Sequence, residues 1–307
     1  MRLEILYPEE EEEEEEDEGD DTPDPARVTA ALAMTSRALT LAPEDSDIQF
    51  THAMLLLDAD RARVPGRGEE LIGSLPRWVP SVRINVAVRM GSLGHARFGD
   101  AVDIALGDGL PDKILADRTS PVGGGAAIAS FGDVAHELFS ELGDAILQHA
   151  PAKMSQLAPL LPDDVNLLAE LAWKTAQAKQ RETAVSLYDR VLALPIPDDG
   201  DERTNYLRAL NNACVQAHAA KAYDAAVRIA DRAQPVAHEN PYIYHSAACA
   251  YAAVNDLHKA FEQVKLAMTH DYDHLGKIET DTDLGPLLEW PEFKALFRDW
   301  HVRQEGN

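Results

Sequence analysis

From about residue 26 onward, apolar side chains recur every three to four positions: Val28, Leu32, Thr35 and Leu39, then Ile48, Leu55 and Leu56, in a background rich in Ala, Leu and Arg. That spacing puts them on one face of an α-helix and predicts helices along nearly all of the remaining chain. Residues 79–88 hold the one strand-like alternation, through Val82, Ile84, Val86 and Val88, but Met90, Leu93 and the Ala- and Asp-rich run to Leu106 continue it more naturally as helix. The periodicity breaks over 107–130, where Gly107, Gly109, Pro111, Pro121 and the triplet Gly123-Gly124-Gly125 predict a long loop or hinge and a domain boundary, before a helix resumes near Gly132.

The C-terminal half repeats itself. Tyr244-x-x-Ala247-Ala248-x-x-Tyr251, followed by Asp256-Leu257-x-x-Ala260 and Ala267, aligns with Leu210-x-x-Ala213-Cys214-x-x-Ala217, followed by Tyr223-Asp224-x-Ala226 and Ala233, at an offset of 34 residues. A third copy, Leu168-x-x-Leu171-Ala172-x-x-Thr175 with Ala184, Tyr188 and Val191, lies 42 residues earlier; a Pro- and Asp-rich insertion over 195–202 accounts for the extra eight. The small residues at Ala172, Cys214, Ala248, Ala184, Ala226 and Ala260 would let two helices approach closely. Leu168, Tyr188, Tyr223, Tyr244 and Tyr251 would fill the space between successive pairs.

This period and this alternation of small and aromatic positions resemble the tetratricopeptide repeat (TPR), a helix–turn–helix unit. The resemblance is good over 165–274 and partial over 27–106, where Arg37–Asp45 resembles the end of a second helix with its proline turn and Phe98-Gly99-Asp100-Ala101 resembles the opening of another. Over 107–163 the pattern is poor, with Val134–Leu147 and Met154–Leu161 as a degenerate hairpin. Residues 281–296, with Pro286, Pro291 and their acids, resemble the terminal segment that closes bacterial TPR arrays, and Leu287, Leu288, Trp290, Phe293, Leu296 and Phe297 would cover the last apolar face. The resemblance implies an all-α, TPR-like α-solenoid of antiparallel helix pairs. Its expected parts are an acidic tail (1–25), a degenerate helical region ending in the Gly-rich loop (26–130), helical hairpins with three clearer units (131–274) and a cap (275–307).

Charge adds a separate feature. The chain of 307 residues carries 28 Lys+Arg against 53 Asp+Glu, a formal charge of −25, and fourteen of those acids fall within residues 1–25 against Arg2 alone. Such a low-complexity acidic run has nothing to bury and is expected to be disordered. Without a basic stripe, neither a nucleic-acid backbone nor an anionic membrane surface suits this chain, whereas a basic protein partner does. The first residues carry no apolar leader and no segment nears eighteen uninterrupted apolar residues, and Cys214 and Cys249 alone form no disulfide framework, so a cytoplasmic protein with reduced thiols is expected.

Catalytic and metal motifs are incomplete. Asp271-Tyr272-Asp273-His274-Leu275-Gly276-Lys277-Ile278 has the leading acids, Gly and Ile of an EF-hand loop, but Leu275 supplies no ligand and Thr282 replaces the bidentate Glu. His270 and His274 lack a third zinc ligand, and His136-Glu137 is not followed by the spacing of a His-Glu-x-x-His helix. The glycine triplet lacks the Gly-Lys-Ser/Thr of a phosphate loop, and no Gly-x-Ser-x-Gly elbow occurs. No catalytic residue, cofactor or metal is therefore assigned.

What remains is a binding surface. The first helices of TPR arrays line a groove, and the matching positions here are Asn166, Glu170 and Trp173, then Arg208, Asn211, Asn212, Val215 and His218, then Tyr242, His245 and Cys249. Trp, Tyr, Arg and Asn combine contact area with directed hydrogen bonds, which suits the reading of a peptide, although Trp173 and Tyr242 would serve equally well in packing. The carboxylate clamp of chaperone-binding TPRs is not matched, because Ala169, Trp173, Asn212 and Ser246 stand at most of its positions. A non-catalytic scaffold or adaptor for a protein partner is the expected function. The rivals are an enzyme centred on Asp133, His136, Glu137 and Glu141, and an acidic tail that occupies basic protein surfaces.

Overall fold

The structure, a computed structural model, describes residues 24–107, 131–270 and 272–305; of 131–137 and 303–305 it describes the backbone. The described residues are all-α, and they fall into two compact units divided after Val79.

In the first unit α1 (Pro25–Leu41) packs on α2 (Ser46–Arg61), and α2 on α3 (Arg67–Ser74). Asp45 starts α2 by accepting the backbone N–H groups of Asp47 and Ile48 at 3.0 Å, which satisfies donors that no helical carbonyl reaches. Leu32, Leu56, Leu57, Leu71 and Leu75 form the core. Two polar side chains are buried in it and both are bonded: Gln49 donates to the Pro43 carbonyl at 2.6 Å and accepts from the Val79 N–H at 2.9 Å, and His52 Nδ1 lies 2.7 Å from the Thr35 hydroxyl.

The second unit is a TPR-like stack of antiparallel pairs. Its pairs are α4 (Pro80–Ser92) with α5 (Phe98–Leu106), α7 (Val165–Gln177) with α8 (Arg181–Ala193), α9 (Gly200–Ala219) with α10 (Tyr223–Ala233), and α11 (Tyr242–Ala253) with α12 (Leu257–Thr269). α6 (Phe131–His149) stands between α4 and α7 and, among the described residues, is followed by short helical turns over 151–160 where the regular pairs have a second helix. The first helices α4, α6, α7, α9 and α11 pack side by side in that order, and each second helix from α8 onward also touches the next first helix. The strand-like stretch at 79–88 is thus helix α4. It looks alternating because α4 is covered by both α5 and α6, so that Val82, Ile84, Val86 and Met90 are all buried.

One turn geometry ends the first helix of each regular pair. Gly94, Lys179, Lys221 and Asn255 sit at φ of 61°, 62°, 59° and 62°, as does Arg63 (φ 59°) between α2 and α3. At each, the N–H bonds the carbonyl three residues back and the next N–H bonds the carbonyl five back, as in Lys221 to His218 at 2.8 Å and Ala222 to Ala217 at 2.9 Å. This is the Schellman closure, and it recurs at 179, 221 and 255 with the 42- and 34-residue offsets of the sequence repeat. Ala172, Ala184, Ala226, Ala248 and Ala260 are fully buried at the helix crossings and Cys214 nearly so. Tyr188, Tyr244 and Tyr251 are buried between pairs, whereas Tyr223 is half-buried and lies 5.4 Å from the His218 ring.

Beyond α12, a kinked 3-10 run (Thr282–Glu289) packs on both α11 and α12 and against α13 (Pro291–Glu305). Leu284, Leu287, Phe293 and Phe297 are buried, and Trp290 meets His258 and Phe261 of α12 at 4.9 and 5.7 Å. Leu288 and Leu296 are only half-buried. No helix among the described residues is long and apolar enough to cross a membrane. The acidic tail up to residue 23 and the Gly-rich stretch 108–130 lie outside the described residues.

Candidate functional site

The shared turn geometry defines equivalent positions on α7, α9 and α11. Thirteen residues before the left-handed residue stand Asn166, Arg208 and Tyr242; six before it stand Trp173, Val215 and Cys249. Both rows lie on helices that pack directly against one another.

Several of the sequence-predicted residues hold adjacent first helices together. Asn205 on α9 donates to the Asn166 side chain on α7 at 2.8 Å, and Ser246 on α11 donates to the Asn211 side chain on α9 at 2.7 Å. Glu170 accepts from Ser140 at 3.2 Å and from Lys174 at 2.7 Å, while Lys174 also reaches Asp144 on α6 at 2.6 Å. Burial of Lys174 works against its charge, but the two carboxylates outweigh it and raise its pKa.

Others face solvent. Trp173 is 37% exposed and Val215 39%, and Arg208 is exposed with no ion pair among the described residues. Asn212 is half-buried beside them, its side-chain oxygen 3.4 Å from the Asn211 amide. Tyr242 is also largely exposed, but its hydroxyl donates to Asp273 at 2.9 Å and its ring meets the edge of Tyr272 at 5.2 Å. Partial burial and the Asp273 charge raise the Tyr242 pKa.

At the last pair the surface closes over. Cys249, equivalent to Trp173 and Val215, is buried because the chain entering Thr282–Glu289 crosses it. Asp281, which the sequence did not single out as a ligand, has a side chain only 8% exposed. Its Oδ2 is 2.9 Å from His245 Nε2 and 4.0 Å from Cys249 Sγ, and its Oδ1 accepts the Asp283 N–H at 3.0 Å. Tyr272 stands 2.8 Å from His245 Nδ1, and His218 is 3.9 Å from Asp283. Burial alone would raise the Asp281 pKa, but His245, the Asp283 amide and the His218 charge hold it below the ordinary range.

Thiol, imidazole and carboxylate are the residue types of a nucleophilic triad, but this arrangement does not activate the thiol. The two ring nitrogens of His245 face Tyr272 and Asp281, so no imidazole base serves the sulfur. Burial, with the Asp281 and Asp283 charges beside it, pushes the Cys249 thiol well up, and burial pushes the Cys214 thiol to about 12.

No family model and no curated protein matches this chain. Among solved structures it is similar to the crystal structure of the P58(IPK) TPR domain, at 12% identity over 89% of this chain and 94% of that one, with a TM-score of 0.23. At that score the likeness carries no argument about this chain, whose fold is read from its own hairpins.

Of the EF-hand-like run that the sequence leaves incomplete, Asp271 lies outside the described residues and Tyr272 is buried. His270 and His274 do not share a helix, because they terminate α12 and start the turn at Leu275–Ile278; each packs on a tyrosine ring, Tyr244 at 5.2 Å and Tyr272 at 6.0 Å. The side chains of Asp133, His136 and Glu137 lie outside the described residues, and Glu141 is exposed on α6.

Proposed function

We propose that this chain is a non-catalytic, cytoplasmic scaffold of the TPR type that takes an extended or helical peptide of a protein partner along the first helices α7, α9 and α11. The observation that carries this reading is the placement of exposed apolar side chains. Among the described residues of 131–274 the large exposed ones are Trp173, Val215 and Tyr242 on first helices, with Arg208 and Asn212 among them, and Val254 in the turn after α11. Isolated apolar side chains on a surface need no explanation, but exposed apolar side chains on three successive first helices, with Trp173 and Val215 at equivalent positions, are an arrangement an elongated ligand can use. A preformed face of this kind leaves the ordering cost mainly to the peptide.

In this reading residues 131–274 form the binding array, and residues 275–307 form a terminal cap of the kind that bacterial TPR proteins carry. The formal charge of −25 favours a basic partner segment. Peptides selected by display on the full chain, then titrated against Trp173→Ala, Arg208→Ala and Val215→Asp, test the proposal. Each substitution is expected to weaken binding about tenfold or more, equivalent to about 1.4 kcal/mol. Selected peptides that bind all three variants as tightly as the unaltered chain would place the binding surface elsewhere.

A further inference from the structure

We propose that His245, Cys249 and Asp281 form a zinc site that ties the C-terminal segment to helix α11. This goes beyond the peptide-binding reading and does not depend on it. His245 and Cys249 are four residues apart on α11 and so share one face, and Asp281 is brought over them by the turn that starts the 3-10 run. One ligand atom from each lies within 4.8 Å of the other two.

A tetrahedral zinc ion, with Zn–S of about 2.3 Å and Zn–N or Zn–O of about 2.0–2.1 Å, holds its ligand atoms about 3.3–3.6 Å apart. The separations of 2.9 Å for nitrogen to oxygen and 4.0 Å for sulfur to oxygen lie on either side of that range, and all three ligand atoms fall within 4.8 Å of one another, close to the spacing an ion requires.

Two further features of the cluster fit a cation. His245 Nε2 is buried 2.9 Å from an Asp281 carboxylate oxygen in a contact poorly aligned for an N–H donor. A metal ion turns this contact into two bonds, with Nε2 offering its lone pair and the Nδ1 proton going to the Tyr272 oxygen, 2.8 Å away. The second feature is that Asp281 is already oriented: the Asp283 amide fixes Oδ1, so Oδ2 faces His245 and Cys249. One thiolate, one imidazole and one carboxylate suit zinc, whereas calcium and magnesium require shells made of oxygen. Binding releases the Cys249 thiol proton to solvent as the zinc–sulfur bond forms, with no change in oxidation state, and a water completes the tetrahedron.

The test uses the full chain stripped with a chelator and titrated with cobalt(II), then with zinc. One cobalt per chain is expected, with a near-ultraviolet thiolate-to-cobalt charge-transfer band and tetrahedral visible bands, all displaced by one equivalent of zinc. The charge-transfer band should vanish in Cys249→Ser, persist in Cys214→Ser, and require about tenfold or more cobalt in Asp281→Asn. Zinc should also raise the thermal midpoint of the unaltered chain but not of Cys249→Ser. Carboxylates of the acidic N-terminal run give no thiolate band and cannot imitate this result. An unaltered chain with native helical circular dichroism but no charge-transfer band would overturn the proposal, as would a band that survives Cys249→Ser; the first outcome needs no variant to fold.

Discussion

Replacing Gly91 by alanine tests whether close helix approach, and not helix propensity, governs the packing of α4. A methyl group built on Gly91 would stand 2.4 Å from the Ala145 Cβ on α6 and 2.9 Å from the Phe98 ring on α5. Ordinary contact begins at 3.4 Å, so the clash with Ala145 is short by a full ångström, and neither neighbour is the free end of a flexible chain. Overpacking of this kind costs about 1–3 kcal/mol. Alanine also favours a helix over glycine by about 0.8–1.0 kcal/mol, which partly offsets the clash. The net loss is about 0–2 kcal/mol, or a fall of up to about 8 °C in the thermal midpoint for a unit of this size. Circular dichroism melts of Gly91→Ala, Ala145→Gly and the double variant measure it, and the double variant should recover part of the loss because the Phe98 contact remains. A Gly91→Ala chain that melts higher than the parent would refute the reasoning, since only the propensity gain would then be acting.

The left-handed turns make a second prediction. Lys221→Gly should raise the thermal midpoint, because relief of about 1–2 kcal/mol of left-handed strain exceeds the entropy that glycine adds to the unfolded chain, about 0.4–1 kcal/mol. Asn255→Gly should gain less, since asparagine tolerates φ near 60° better than lysine does. A third concerns pH. His52 is 5% exposed, and its burial lowers its pKa below 6.5, with the Glu70 charge acting against this and the Arg67 charge with it. The unfolded chain therefore takes up this proton first, so the stability of the first unit should fall as pH drops below about 6.5 and level off below the folded pKa. His52→Gln should flatten that part of a melting-temperature profile between pH 7.5 and 5.

The hairpins were legible because their determinants are local and repeated. Ala184, Ala226 and Ala260 mark the tight crossings, and the turn at Lys179, Lys221 and Asn255 keeps the same spacing in sequence and in space. Residues 79–88 looked partly like a strand because a helix covered on two sides buries more than one stripe, which blurs its period. The candidate surface was legible only as a set of helix positions. Which members face solvent, as Trp173 and Val215 do, and which join helices, as Asn166 and Asn211 do, depends on partners 35 to 39 residues away. The meeting of His245 and Cys249 with Asp281 had no local signature, because helix α12 and the short turn at Leu275–Ile278 separate them and no spacing rule spans such a path. Leu284, beside Gly285 and Pro286 in a segment with no clean period, is not among the residues the pattern assigns to cover the last apolar face, yet it is fully buried.

Amide hydrogen exchange on the full chain, with and without the tightest display-selected peptide, tests the proposed binding face most directly. Slowed exchange within 165–177, 200–219 and 242–253, with the second helices 181–193 and 223–233 unchanged, is the result this account predicts. Protection confined to those second helices or to residues 24–79 would contradict it.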